Sequence, residues 1–216
     1  MRTNPWLEKS KINLLALSES QDFKDALSEW FFTGDVEDYG NRSVDCELCE
    51  HPELRYHYEI ENKIKNSNLW VGSSCILRFQ EIEVYDAAGN RLLDNDERSS
   101  ELKKQLKKQM EDKMLDPIRA LWKSYIPKSP DRLHIEAVVR KYKSQSSFSP
   151  KDLLELFDEM SSNNIEFSAE RYKVSLRGEY DKWSVNSLSQ KNLLKLKPCF
   201  SKNQIKKYGH FFKVNK

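Results

Sequence analysis

The spacing of apolar residues divides the chain into a helical start, a short β region and a long helical remainder. Near the N-terminus, apolar side chains recur at intervals of three and four, the spacing of one helix face. These residues are Phe23, Ala26, Leu27, Trp30 and Phe31. We expect Ser18 or Ser20 to cap this helix and Thr33-Gly34 to end it, before an acidic loop that leads to residue 46.

From residue 54 the apolar period becomes two, which predicts a half-buried strand. The residues on its apolar face are Leu54, Tyr56, Tyr58 and Ile60. A turn over residues 65–68 returns the chain as an antiparallel strand over residues 69–71, so the pattern predicts a β-hairpin. Residues 72–75 predict a second tight turn, followed by a short helix from residue 76 and a further strand over residues 81–86.

Helical periodicity dominates the remainder of the chain. Helices are predicted over residues 97–115, 117–125, 131–143 and 150–160, with short helices near residues 189–196 and 201–208. Pro117 suits a first helical position and therefore restarts the helix, whereas residues 126–130 break it. Ser149-Pro150 marks another helix start, and residues 174–177 predict a short strand.

Composition describes a polar protein. Of its 216 residues, 38% are hydrophobic and 32% are charged, and no apolar run reaches the length needed to cross a bilayer. The N-terminus lacks an apolar signal core, so we expect a cytoplasmic protein rather than an exported one. Four cysteines, three of them clustered, fit a reduced compartment in which thiolates serve as metal ligands.

The net charge of +2 conceals an uneven distribution of charge. Residues 1–53 carry five Lys/Arg and twelve Asp/Glu, whereas residues 97–216 carry twenty-six and fifteen. No acidic residue follows Asp181, and nine lysines fall between Lys182 and Lys216. This separation suggests a polyanionic partner for the basic half, or a solubilising tail; both interpretations stay open.

Three cysteines predict a metal site. Cys46 and Cys49 can bind one ion from a single turn, and Cys75, which follows a glycine turn beyond the hairpin, can close the site from the other side. Zn²⁺ is the expected ion, because a structural zinc site uses four thiolate or imidazole ligands. For the fourth ligand we place His51 first, His57 second and Cys199 third.

A structural role for this ion is favoured over a catalytic one. Catalytic zinc keeps a water molecule beside a general base, and no HExxH or deaminase arrangement accompanies the cysteines, although Glu47 and Glu50 lie close in sequence. A redox CxxC is disfavoured, since the helix start within a βαβ pattern that such motifs use is absent.

The stretch from Cys46-Glu-Leu-Cys49-Glu-His51 through Gly72-Ser-Ser-Cys75-Ile-Leu-Arg-Phe79 resembles a small zinc-finger-like unit. Its pattern is C-x-x-C-G-H-x-I-x-Y-x-Y-x-I-x-N, then L-x-V-G-S-x-C-I-x-x-F, in largely uncharacterised bacterial, plasmid and phage proteins. The resemblance implies zinc binding and a phage or mobile-element setting, without an established activity. Glu50 replaces the glycine that the pattern has.

These patterns together predict an α+β fold with two parts. Residues 1–96 would form an acidic segment with a small β-hairpin module over residues 46–79, held together by zinc. Residues 97–216 would form a mostly helical, lysine-rich region. A single continuous domain is the alternative.

The first functional hypothesis is a nucleic-acid-binding accessory protein that contacts DNA or RNA. Lysines would neutralise phosphates, and aromatic residues between them would stack on unpaired bases. The preferred lysines are Lys202, Lys206, Lys207 and Lys213, and the aromatic residues are Trp183, Phe200, Tyr208, Phe211 and Phe212. These aromatics could instead form the apolar faces of two short helices, the interpretation that we favour for Trp183 and Phe200.

The second hypothesis is a protein-binding inhibitor or adaptor that acts on a nucleic-acid-processing machine. Its acidic N-terminal surface would imitate phosphates in a basic groove. The residues are Asp35, Glu37, Asp38, Asp45, Glu47 and Glu50. Enzymatic activity is the third hypothesis and the least favoured, because the sequence has no phosphate-binding glycine loop, nucleophile elbow or paired His/carboxylate signature.

Overall fold

The computed structural model describes residues 4–40 and 44–212. Its contacts divide the chain into two compact units, Met1–Met110 and Glu111–Lys216. The fold is α+β, as predicted: the N-terminal unit contains a three-stranded antiparallel sheet, and the described part of the C-terminal unit is built mainly from helices. None of the described helices is long and apolar enough to cross a bilayer.

The N-terminal unit surrounds its sheet with helices. The helices are α1 (Pro5–Leu15), α2 (Phe23–Ser28), α3 (Ser73–Arg78) and the first half of α4 (Asn95–Ser124). The strands are β1 (Trp30–Asp38), β2 (Tyr56–Asn62) and β3 (Asn68–Val71), which lie in the order β1-β2-β3. The predicted hairpin is therefore present as β2 and β3, and residues 81–86 make only isolated bridges beside it.

The first strand was not predicted. The helix expected to reach Phe31 ends at Ser28, and residues 30–38 form β1 instead of a helix end and an acidic loop. Trp30 and Phe32 are buried on alternate positions, and Phe32 pairs with Ile60 of β2. Cross-strand burial therefore decides the structure here, although the apolar spacing also fits a helix. A register shift follows at Gly34, whose φ of 99° favours glycine.

Both edges of the sheet are covered. Glu83 bonds through its backbone to Trp30 and Phe32 along β1, at 2.9 Å each. At the other edge, Glu47 N–H donates to the Trp70 carbonyl of β3 at 3.0 Å, and the Trp70 N–H donates to the Glu47 carboxylate at 2.6 Å. The loop that carries Cys46 and Cys49 thus provides hydrogen-bond partners for the backbone of β3 at the edge of the sheet.

Buried polar groups anchor the loops of the N-terminal unit. Arg98 of α4 is fully buried and donates to the carbonyl groups of four residues near the end of α3, namely Ile76, Phe79, Gln80 and Ile82. Glu29 accepts from the N–H groups of Glu19 and Ser20 and from Asn62 Nδ2. These bonds give otherwise orphaned backbone groups a partner.

The described part of the C-terminal unit contains the second half of α4 and five further α-helices. These are α5 (Pro130–Gln145), α6 (Pro150–Ser162), α7 (Glu179–Ser187), α8 (Gln190–Leu196) and α9 (Lys202–Tyr208). Serine hydroxyls cap four of them, at Ser129, Ser149, Ser189 and Ser201. The predicted restart at Pro117 is not seen, because α4 runs through this residue.

Helix α6 provides the centre of the C-terminal core. It buries Leu153, Leu154, Leu156, Phe157 and Met160. Phe157 stacks on Phe167 with ring centroids 4.6 Å apart and meets Tyr172 edge-on at 5.1 Å. Phe148 and Val174 form an isolated parallel bridge, so the strand predicted near residue 174 is reduced to one bridged pair.

Candidate metal centre

A closed loop presents the first two cysteines. Its ends are held by a bridge between Val44 and Leu54. Within it, Cys46 N–H donates to the His51 carbonyl at 2.9 Å, and Glu50 N–H donates to the Cys46 carbonyl at 2.7 Å. Glu50 has a φ of 57°, a left-handed conformation that favours glycine. Glu50 therefore adopts a backbone conformation that glycine would adopt with less strain.

Helix α1 supports this loop from outside. Asn13 Nδ2 donates to the Leu48 carbonyl at 3.1 Å, and Lys9 pairs with the Glu50 carboxylate at 2.6 Å. The second interaction is exposed and contributes little to stability. The first fixes a backbone carbonyl between the two cysteines, so α1 positions the loop although no sequence motif marked it.

The third cysteine comes from the first turn of α3. Gly72 is the N-cap of this helix, and Cys75 N–H donates to the Gly72 carbonyl at 2.9 Å. Gly72 N–H in turn donates to Cys46 Sγ at 3.4 Å. A Cβ atom at residue 72 would lie 3.1 Å from a Leu54 methyl group, so glycine permits this close approach.

The three sulfur atoms form one buried cluster. Cys75 Sγ lies 3.3 Å from Cys49 Sγ and 3.7 Å from Cys46 Sγ, and all three atoms lie within 4.8 Å of one another. Zn–S bonds of about 2.3 Å in a tetrahedron place sulfurs about 3.8 Å apart. The separations are far longer than a disulfide bond of about 2.05 Å, and the cysteines are free thiols. The cluster is therefore able to hold a metal ion.

The surroundings of Cys46 favour its thiolate. The hydrogen bond between Cys46 and Cys75, together with the N–H groups of Cys49, Gly72 and Leu48, lowers the pKa of Cys46 although burial raises it. Burial raises the pKa of Cys49, and the bond with Cys46 raises that of Cys75. A metal bound by all three sulfur atoms would displace the protons that they carry.

Of the three candidates for the fourth ligand, none joins the cluster in the described part of the chain. The His51 imidazole is exposed, but it lines the same cavity as the three cysteines, and the His51 N–H donates to Cys49 Sγ. His57 is buried in β2, edge-on to Tyr39, and its Nε2 has no hydrogen-bond partner. Cys199 lies in the C-terminal core, where its Sγ donates to the Ala169 carbonyl at 3.2 Å.

The cavity beside the cluster has a volume of about 770 Å³. Its lining includes Trp6, Arg55 and Arg78. Arg78 stacks over the Trp6 ring at 3.9 Å, and Arg55 forms an ion pair with Asp38 at 2.9 Å. Both guanidinium groups are therefore engaged within the unit itself.

Of the lysines predicted to bind nucleic acid, those that the structure describes lie on α9. Lys202, Lys206 and Lys207 are exposed on this helix, whereas Lys213 lies outside the described residues. Phe200 is buried, as expected. Trp183 is not: 63% of its surface is exposed on α7, a helix that the sequence did not predict, and Tyr180 beside it is 59% exposed. The apolar spacing around Trp183 gave no sign of this exposure.

No protein-family model, curated protein or solved structure matches this chain.

Proposed function

We propose that the chain is a non-catalytic zinc-binding protein whose C-terminal unit contacts nucleic acid. The metal part is supported by one observation above all, the convergence of three buried thiols at separations that suit a tetrahedral ion. Zinc is the proposed ion because it accepts thiolate ligands in a tetrahedral site without redox chemistry. A phage or mobile-element setting rests on the resemblance of residues 46–79 alone.

We keep His51 as the proposed fourth ligand. Its backbone is fixed at the cluster by the bond from Cys46 N–H, and its imidazole is exposed, so the ring can turn with little loss of burial. The position of the site supports a structural role. The ion would join the loop that covers β3 to the first turn of α3, and it would thereby fix two segments of one apolar cluster to each other.

The metal part is tested by elemental analysis of the full chain, purified without chelator. We expect one zinc per chain, reduced to near zero by Cys46→Ser or Cys75→Ser. Replacement by Co²⁺ should give the visible absorption of a tetrahedral thiolate site, and His51→Ala should change that spectrum while the matched control His57→Ala does not. Protein without stoichiometric metal would exclude the proposal, and an unchanged spectrum for His51→Ala would exclude this fourth ligand.

The nucleic-acid part is supported by the charge of the C-terminal segment. Residues 182–212 contain seven lysines and no acidic residue, and Lys202, Lys206 and Lys207 are exposed on one short helix. Exposed lysines bind phosphates and release counterions, so such a segment binds polyanions with an affinity that falls as salt increases.

A binding titration at several salt concentrations tests this part. We expect micromolar or tighter binding to labelled DNA or RNA at low salt, and the triple variant Lys202→Gln/Lys206→Gln/Lys207→Gln should lower the salt slope by about 2. The matched control removes three exposed lysines of α4, Lys103, Lys107 and Lys108, and should leave the slope nearly unchanged. Absence of binding to any nucleic acid at low salt would overturn the proposal.

The inhibitor or adaptor hypothesis has less support, because acidic groups assigned to its surface already have partners. Asp38 pairs with Arg55 and Glu50 pairs with Lys9. Asp35 accepts from Gln109, and Glu47 accepts from the Trp70 backbone. Carboxylates that are engaged in this way present less charge to a basic groove than the sequence suggests.

A further inference from the structure

An exposed pair of aromatic rings on α7 needs an explanation. Tyr180 and Trp183 lie with ring centroids 6.0 Å apart and planes at 35°. The opposite face of the helix buries Ser184 and Val185 in the C-terminal unit, so the two rings are not required for its core. Large aromatic side chains that remain exposed together commonly mark a binding surface.

The aromatic pair belongs to a stretch that is rich in lysine. Residues 179–208 carry seven lysines and two acidic residues, Glu179 and Asp181 of α7. Lys182 pairs with Glu179, and Lys207 Nζ of α9 lies 5.4 Å from the centre of the Tyr208 ring. The aromatic pair and the lysines of α9 therefore belong to the same short, mainly basic part of the C-terminal unit.

We infer that Tyr180 and Trp183 are a stacking platform for unpaired bases, so the preferred ligand is single-stranded nucleic acid. This inference rests on the nucleic-acid part of the proposed function. Bases in a duplex are already stacked on both faces, whereas bases of a single strand are free to lie on exposed aromatic rings. The lysines of α9 supply phosphate contacts that are indifferent to sequence, and the rings supply contacts that only a single strand can use.

A protein partner would use this surface differently. Protein interfaces bury aromatic groups at a centre that is depleted of lysine, with charged residues at the rim. Here Asp181 and Lys182 both lie between the two rings in sequence, and six further lysines but no acidic residue follow Trp183 as far as residue 212. The complementary partner is therefore a polyanion with exposed flat rings.

Fluorescence anisotropy with a labelled 20-nucleotide oligothymidine and a 20-base-pair duplex tests the inference on the full chain. We expect tighter binding of the single strand, weakened at least roughly 5-fold by Tyr180→Ala/Trp183→Ala. The salt slope should stay unchanged in this variant, because it removes no cation. Tyr180→Phe/Trp183→Phe should keep most of the affinity, and Leu194→Ala, at an exposed apolar residue of α8, should have no effect.

The outcomes separate the inference from the proposed function. If the alanine variant binds the single strand as well as the unaltered chain does, or if the duplex binds equally well, the platform is wrong. The proposed contacts between the α9 lysines and phosphates would still hold, provided that the triple lysine variant lowers the salt slope. If neither oligonucleotide binds, both proposals fail. If sedimentation shows a dimer that the alanine variant abolishes, the pair is a protein interface and the inference is overturned.

Discussion

The N-terminal unit and the C-terminal unit differ in the interactions that stabilise each of them. In the N-terminal unit, charged or amide side chains are buried beside the apolar core, among them Arg98, Glu29 and Asn62, and a cluster of three thiols joins separate segments. In the described part of the C-terminal unit, the core is formed by apolar helix faces, and the buried polar residues are three serines, of which Ser149 caps α6.

This difference predicts different sensitivities. Apolar packing depends on filled volume and is spread over many contacts. Truncation of one buried side chain therefore lowers stability according to the size of the cavity that it leaves. Specific polar bonds and metal ligands concentrate stability in a few groups, because a buried partner left without its bond is costly. The N-terminal unit should therefore respond to chelators, acid and charge removal, and the C-terminal unit to truncation of large side chains.

Removal of the proposed zinc ion should produce the largest effect, and it should be confined to the N-terminal unit. Metal binding by small zinc modules contributes about 10–16 kcal/mol, which rivals the whole stability of a domain. We expect a chelator to abolish hydrogen-exchange protection over residues 46–79 while α5 and α6 remain protected. Exchange measured by mass spectrometry on the full chain checks this.

The control for this experiment is a chain in which Cys199→Ser removes the thiol outside the cluster. It should respond to chelator as the unaltered chain does, and it should bind the same amount of zinc. A cooperative loss of protection in all helices on chelation would contradict the separation of the two units.

Phe157→Ala should give the largest effect in the C-terminal unit. Its ring is buried among Phe167, Tyr172 and the other apolar residues of α6, so truncation should cost about 3–5 kcal/mol. Urea unfolding, monitored by hydrogen exchange in α6, measures the loss in unfolding free energy. Zinc content and protection over residues 46–79 should not change, and a fall in zinc content would show that the units are coupled.

Periodicity predicted those elements that a single physical rule determines. Ser149 caps α6 and Pro150 is its first residue, because a helix start of this kind needs only the local sequence. Strand β1 could not be predicted from its apolar spacing, since Trp30 fits both a helix and a strand and its pairing with β2 decides. The continuation of α4 through Pro117 also depends on packing rather than on local preference.

The cysteine cluster could be predicted because its ligands are few and chemically distinctive. Three sulfurs at the spacing of one turn and one hairpin leave little freedom, and the structure brings all three together. The choice of His51 as fourth ligand stays a prediction, because a histidine side chain is common on surfaces as well as at metals. The exposure of Trp183 depends on which face α7 turns toward the core, and the apolar spacing of this nine-residue helix does not determine that.

Arg98→Met should destabilise the N-terminal unit by at least about 2 kcal/mol. The change keeps much of the buried volume but leaves carbonyl groups near the end of α3 without their donor. The stability of Arg98→Lys should lie between that of the unaltered chain and that of Arg98→Met, because an ammonium group cannot reproduce the planar fork of a guanidinium group. Arg140→Met, at an exposed arginine of α5, is the matched control and should change stability by no more than about 0.5 kcal/mol.

The smallest effect expected is a pH-dependent one at Glu29. Burial alone would raise its pKa, but bonds from Asn62 and from the N–H groups of Glu19 and Ser20 outweigh it, so the pKa of Glu29 is lowered. A carboxylate with a lowered folded-state pKa stabilises the fold above its unfolded-state pKa, and the contribution disappears as the pH falls through the folded-state value. Glu29→Gln should thus cost about 1–2 kcal/mol at pH 7 and progressively less below about pH 4.

The measurement is the difference in unfolding free energy between the unaltered chain and Glu29→Gln from pH 7 to pH 3. Taking the difference cancels any release of the proposed zinc by acid, which both chains would share. Glu8→Gln, at an exposed carboxylate of α1, is the control and should show a difference near zero at every pH. A Glu29 difference that stayed constant with pH would mean that its carboxylate is not what holds the loop at residues 19 and 20. The buried polar side chains of the N-terminal unit would then stabilise it through packing, as the apolar core of the C-terminal unit does.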